Sequence, residues 1–402
     1  MIATLVLAAA TQLVPPGVRG ALVLESPQAA QDIRALLQAA SAHARGLEPD
    51  EIGGQLARSV GVNLLAEARG WGLAPGARVL VLGDHATGLS APVRDPKAAR
   101  RSLAAWVGRA AKGQRATRAG RIVRGRLLIA SGAGAQALVA LLAKPGAGLA
   151  ALKPALSRAS GPLWLYVRGK DLLRAGIFSL EAGAKGLAAR GIVLPLQGTL
   201  LQGGPGPKCE GGIACLGVNP GDTGRQLLRD GLRALVVRAF APPARENADA
   251  TLQRALSRAE KIALRVDGFD ARRLRGGADS LWALQWSASA APAGVPRADL
   301  EGICLESEGE VARASFPCGG ASPALDPGPD ALALGIDLAA VDAAAGRMSP
   351  LDALKGEVAA GVLAAHLLYG RLLQHAGPLT LRGNPARDLP AAAELELRLP
   401  LH

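Results

Sequence analysis

The stretch from Ala91 to Lys144 limits most sharply what this chain can become. An extended run gives way to DPKAARRSLAAWV. There Asp95 is placed to cap a helix with Pro96 in its first turn, and Ala99, Leu103, Trp106 and Val107 share one face. A basic linker follows. Residues 121–123 and 126–130 then alternate around Arg124-Gly125 as a hairpin, and Gly132-Ala133-Gly134 turns the chain into a second helix over 135–143. Hairpins outnumber strand–helix–strand crossovers, so the expected fold class is α+β, a mostly antiparallel sheet with helices packed on it.

The same grammar runs through the rest. GALVL reads as a first strand, Pro27 opens a helix, and residues 78–83 and 88–93 form a hairpin around Asp84-His85-Ala86-Thr87. GPLWLYV is a further strand, and a helix is expected from Asp171. Gly203-Gly204-Pro205-Gly206-Pro207 is a breaker cluster that divides the chain into domains at 11–204 and 205–402. Beyond it LRALVVRAF (232–240) reads as a strand like GALVL, again followed by a Pro-started helix, and LALGI parallels LWLYV. These parallels predict two similar domains, two copies of one α+β plan.

The 402 residues are 49% hydrophobic but only 3% aromatic. Cores of Leu, Val, Ile and Ala follow, and modules that stack sugars or single-stranded nucleic acid are disfavoured. The net charge of +13 is concentrated in the first domain, and the second is near neutral. Eleven Lys and Arg lie between Arg94 and Arg126 against one acid, Asp95. Such a field suits an anionic surface, either an envelope lipid or an acidic protein, with Arg100, Arg101, Arg115, Arg118, Arg121 and Arg124 as the contacts; a solvated basic face is the plainer alternative.

Residues 1–10 form an apolar run ending Ala8-Ala9-Ala10, which fits a signal peptide cleaved before Thr11 or, lacking a basic lead-in, a first strand. No window reaches the roughly 20 apolar residues of a membrane span. The cysteines fall as two close pairs, Cys209 with Cys215 and Cys304 with Cys318, each bracketing a turn. Cross-hairpin disulfides in an oxidising compartment are the natural reading, although four cysteines allow three connectivities. Metal binding is disfavoured, because the five histidines are scattered. Together these features point to a periplasmic or secreted protein.

No catalytic constellation is expected. Gly132-Ala133-Gly134-Ala135-Gln136-Ala137 matches a dinucleotide turn, but no acid follows about 20 residues on, so a tight connection is expected rather than a cofactor site. Asp84 and His85 are the one acid–His neighbour pair and the only lead for an enzyme reading. His366 and His375 lie nine residues apart and face opposite sides of one helix. Trp282 and Trp286 share a strand face, and Glu394 and Glu396 form the polar face of a last strand.

APVRDPKAARRSL, GRIVRGRLLIASGAGAQALVALL and PLWLYVRGKDLL, with the opening VPPGVRGALVL, resemble in order and pattern a family of exported bacterial proteins of unknown function. The likeness covers about the first 200 residues and rests on packing patterns. It implies export and a duplicated α+β architecture, and brings no catalytic residues. The expectation is an exported, non-enzymatic binding or scaffold protein of the bacterial envelope, with no cofactor, nucleic acid an unfavoured partner, and an enzyme acting near Asp84 and His85 as the alternative.

Overall fold

The computed structural model describes residues 14–15, 17–63, 69–110, 117–144, 162–240, 244–270, 283–292, 303–349 and 357–402. The chain is a mixed α+β protein that divides into two compact units, Met1–Val193 and Leu194–His402. Every strand pairing registered within each unit is antiparallel. The export leader expected at residues 1–10 lies outside the described residues.

Unit 1 opens with β1 (Gly20–Leu24), α1 (Pro27–Ser41) and α2 (Pro49–Val60). The hairpin β2 (Arg78–Leu82) and β3 (Ala86–Pro92) follows, then α3 (Pro96–Ala110), β4 (Arg118–Val123), β5 (Arg126–Gly132) and α4 (Ala135–Leu142). The unit ends with β6 (Leu163–Arg168), β7 (Leu173–Gly183) and β8 (Gly186–Pro195). Its strand order is β4-β5-β3-β2-β1-β6-β7-β8. GALVL is central because four of its five residues are buried and it pairs on both sides, Val23 with Val79 and with Trp164.

Two helix starts follow from their sequence. Ser26 accepts from the Ala29 amide ahead of Pro27, and Asp95 Oδ1 accepts from the Lys97 and Ala98 amides ahead of α3. The core beneath α2 and α3 joins Val60, Val62, Leu89, Leu127 and Ile129 to Trp106. Gly61 ends α2 with φ +79, and a Cβ there would lie 2.7 Å from the Trp106 indole, so both backbone and packing require glycine. The helix expected from Asp171 is instead a turn: Asp171 has φ +57 and closes β6 onto β7, with Leu173 already in the strand.

Unit 2 runs β9 (Ala214–Val218), α5 (Asp222–Ala239), α6 (Ala244–Leu256), β10 (Lys261–Phe269), β11 (Leu284–Ala291), β12 (Cys304–Glu308) and β13 (Val311–Phe316). It continues with β14 (Leu332–Ile336), α7 (Leu338–Ala345), α8 (Glu357–His375), β15 (Leu379–Ala386) and β16 (Leu389–Pro400). Its order is β12-β13-β11-β10-β9-β14-β15-β16. Counting strands from the start of each unit, the order is the same in both. LRALVVRAF is not the strand expected: residues 232–239 are the second half of α5, and the counterpart of GALVL is ACLGV, β9.

The two faces of the unit 2 sheet differ by alternation. Ile262, Leu264 and Val266 stand opposite Val218, Leu216 and Ala214, and opposite Ala290, Ala288 and Trp286, making one apolar face. The other face holds Arg265 and the buried Ser287 and Ser289. Two loops serve that polar face. Ser289 Oγ donates to Pro323 O at 2.8 Å and Arg265 Nη2 donates to Ala321 O at 2.9 Å. Gly217 leaves room for Pro207 O, which any Cβ would strike. Disulfides join Cys209 to Cys215 and Cys304 to Cys318, the pairings within close pairs that the spacing favoured.

Candidate functional site

The basic stretch divides into exposed and committed side chains. Arg100, Arg101 and Arg124 are exposed, and Arg121, also exposed, reaches Val139 O with Nη2 at 3.5 Å. Arg118 lies 5.0 Å above the Trp106 ring and donates to Trp106 O at 3.0 Å, so it acts first as a lid on that core. Arg126 donates to Ser90 Oγ and to Ala77 O, each at 2.8 Å, and burial pulls its guanidinium below the usual range. Arg115 lies outside the described residues.

Asp84 and His85 occupy the exposed turn between β2 and β3. Asp84 Oδ1 accepts from Arg19 Nε at 2.5 Å, with both side chains 64% exposed. That hydrogen bond, first, and the charge of Arg19 hold the Asp84 carboxyl below the usual carboxylate range. The acid therefore serves a surface ion pair. The glycine turn at Gly132 has φ +112 and sits against the His85 carbonyl, where any Cβ would collide. Close packing accounts for its glycine.

A buried acid that sequence reasoning missed is Asp342. It is 1% exposed, on α7. Its Oδ1 lies 2.7 Å from His366 Nδ1 and its Oδ2 accepts from Gln374 Nε2 at 2.8 Å, both from α8. The only sequence signal was one acid inside LAAVDAAA. An Asp that orients a histidine also occurs in hydrolase triads. Here, however, Ala340 and Ala344 of the same helix, with Arg347 just beyond its end, line a cavity of about 560 Å³ on the opposite side from Asp342. The charges of that cavity are partly spent: Asp267 Oδ1 lies 2.8 Å from Arg265 Nε, an ion pair short of hydrogen-bond alignment, and Arg347 donates back to α7 at Ala343 O. The Asp342–His366 pair is a clasp between two helices.

A second cavity, of about 240 Å³, lies between α5, α6 and the apolar face of β9 to β13. Leu228 and Leu232 reach it from α5; Ala248, Leu252 and Ala255 reach it from α6 at helical spacing; Leu264 and Trp286 form its floor. Its lining is almost wholly hydrocarbon. An apolar cavity of roughly 150 Å³ already stays dry and takes a benzene-sized guest. Sequence reasoning named none of these helix residues as core, having read 232–240 as a strand, and the gap between them left no signal at all.

No protein-family model, no curated protein and no solved structure matches this chain. Among the described residues no helix is long and apolar enough to cross a membrane, and no group of three or more His, Cys, Asp or Glu could hold a metal ion.

Proposed function

We propose that this chain is an extracytoplasmic, non-enzymatic binding protein built from two copies of one α+β plan, and that unit 2 takes an apolar small molecule between its helices and its sheet. The single observation that carries the reading is the 240 Å³ hydrocarbon-lined cavity, roomy enough for a small apolar guest and poor in the polar groups that chemistry needs. The two disulfides support an oxidising compartment, and the shared strand order supports duplication. Arg100, Arg101, Arg121 and Arg124, exposed in unit 1, are suited to hold the protein near an anionic surface.

The experiment is thermal unfolding of the full chain with and without saturating benzene, cyclohexane or 1-octanol. A ligand confined to the folded state must raise the midpoint with concentration. The reading predicts a saturable rise with at least one of the three, and no rise with any of them would refute it.

A further inference from the structure

We infer that three alanines, Ala288, Ala312 and Ala314, decide what the unit 2 cavity admits, and that unit 1 is a closed copy of the same site; the inference rests on the binding reading above. Its ground is the match of the two sheets, residue by residue. β1 pairs with β2 and β6 over five residues, from Gly20 with Leu82 and Val167 to Leu24 with Arg78 and Leu163. β9 pairs with β10 and β14 over five residues in the same sense, from Ala214 with Val266 and Ile336 to Val218 with Ile262 and Leu332. The next backbone bond corresponds as well: Glu25 N donates to Pro162 O, and Asn219 N donates to Ala331 O. Followed across the strands on one face, a row reads Leu22, Leu80, Leu89, Ile129 in unit 1 and Leu216, Leu264, Ala288, Ala314 in unit 2. Leu127 precedes Ile129 by two residues on β5, as Ala312 precedes Ala314 on β13, so these two also correspond.

Side-chain size is where the copies part. Leu89, Leu127 and Ile129 are each 0% exposed and pack with Trp106 of α3. Their counterparts are alanines, each three side-chain carbons smaller, and all three line the cavity. Ala288 and Ala314 are only half-buried, although each is paired with a strand on both sides. The cover differs too. A Cβ at Gly120 would lie 2.5 Å from Leu103 Cδ1, so glycine lets α3 descend on β4. Gly120 pairs with Ile129 as Leu305 pairs with Ala314, so a side chain seated as Leu103 is would collide with Leu305 in unit 2. Large-to-small changes at three positions of one sheet face leave a gap that no helix placed like α3 can close. The guest takes the place of the side chains that Leu89, Leu127 and Ile129 supply in unit 1.

The test is calorimetric titration of the full chain with benzene, toluene, ethylbenzene and propylbenzene, beside thermal unfolding without ligand. The wild type binds one molecule per chain. Ala288→Leu and Ala314→Ile, which restore the side chains of unit 1, each weaken the tightest-binding probe at least about ten-fold. Each also raises the unliganded midpoint by about 2–4 °C, because it fills the gap. Ala314→Val fills it in part and moves the preferred probe to a smaller member of the series, a shift that a merely structural role would not produce. Undiminished binding in both larger variants, or two molecules bound per chain, would overturn the inference and leave the binding reading intact. If the larger side chains lower the midpoint instead, Ala314→Val carries the test, and an unmoved size preference would overturn the inference. Binding of none of the four by the wild type would remove both.

Discussion

Asp342 on α7 grips His366 on α8 through an Oδ1···Nδ1 contact of 2.7 Å, with the acid buried to 1% exposure. Two donors, His366 Nδ1 and Gln374 Nε2, meet the two carboxylate oxygens, so the proton of the imidazole sits on Nδ1. The contact joins two helices that follow β14 and precede β15, and its hydrogen bonds reach both oxygens of a buried carboxyl.

Asp342→Ala therefore leaves two donors without their acceptor. It should cost about 2–3 kcal/mol in urea unfolding, while Asp342→Asn, which keeps one acceptor oxygen, should cost less. Equal losses would contradict this, because Asn fills the same volume and keeps one of the two acceptors.

Gly61 meets the Trp106 indole where it turns out of α2. Gly61→Ala must take a φ of +79 and push against a core tryptophan that is 2% exposed. A loss of about 1–3 kcal/mol is expected, read by the urea midpoint of unit 1 signals. Gly125→Ala, at φ +73 with open space around it, should lose less.

Glu25 accepts from Trp164 Nε1 at 2.9 Å, and burial, the larger effect, pushes its carboxyl up while the indole partly opposes it. A carboxyl raised in the folded state favours folding below its unfolded pKa, and that benefit fades as pH rises through the folded value. Glu25→Gln keeps an acceptor for Trp164 without the charge. Its melting temperature should gain on the wild type between about pH 4 and pH 7, starting from the ordinary Glu range near 4.3. A gap that does not change with pH would contradict this.

The disulfides close short loops, with separations of 6 and 14 residues. Loop-closure entropy gives roughly 2 kcal/mol for Cys209–Cys215 and about 3 kcal/mol for Cys304–Cys318. Paired Cys→Ser variants should fall in that order by equilibrium unfolding. The reverse order would show that the loop held over β9 by Cys209 contributes more than chain entropy.

Much of the fold was legible from the sequence, and the exceptions have physical causes. The hairpin of β2 and β3 and the starts of α1 and α3 followed from alternation, Pro27 and the cap Asp95. LRALVVRAF misled because Val236 and Val237 are strand-like locally, whereas the helix begins at Asp222, ten residues before Leu232, and runs on through Ala239. Asp171 misled because DLLRA has helical composition, and only pairing of β6 with β7 puts Asp171 at a left-handed turn. The cavity could not be read at all: leucines at core positions say where packing occurs and not where it is incomplete.

The central claim is tested most directly by soaking crystals of the whole protein in 1-bromooctane and locating the bromine by anomalous scattering. Binding in unit 2 predicts a peak between Leu232 of α5 and Leu264 of β10, or at the mouth of the same cavity, with continuous density for the chain. Bromine only on the protein surface, with the space over Trp286 unchanged, would contradict it.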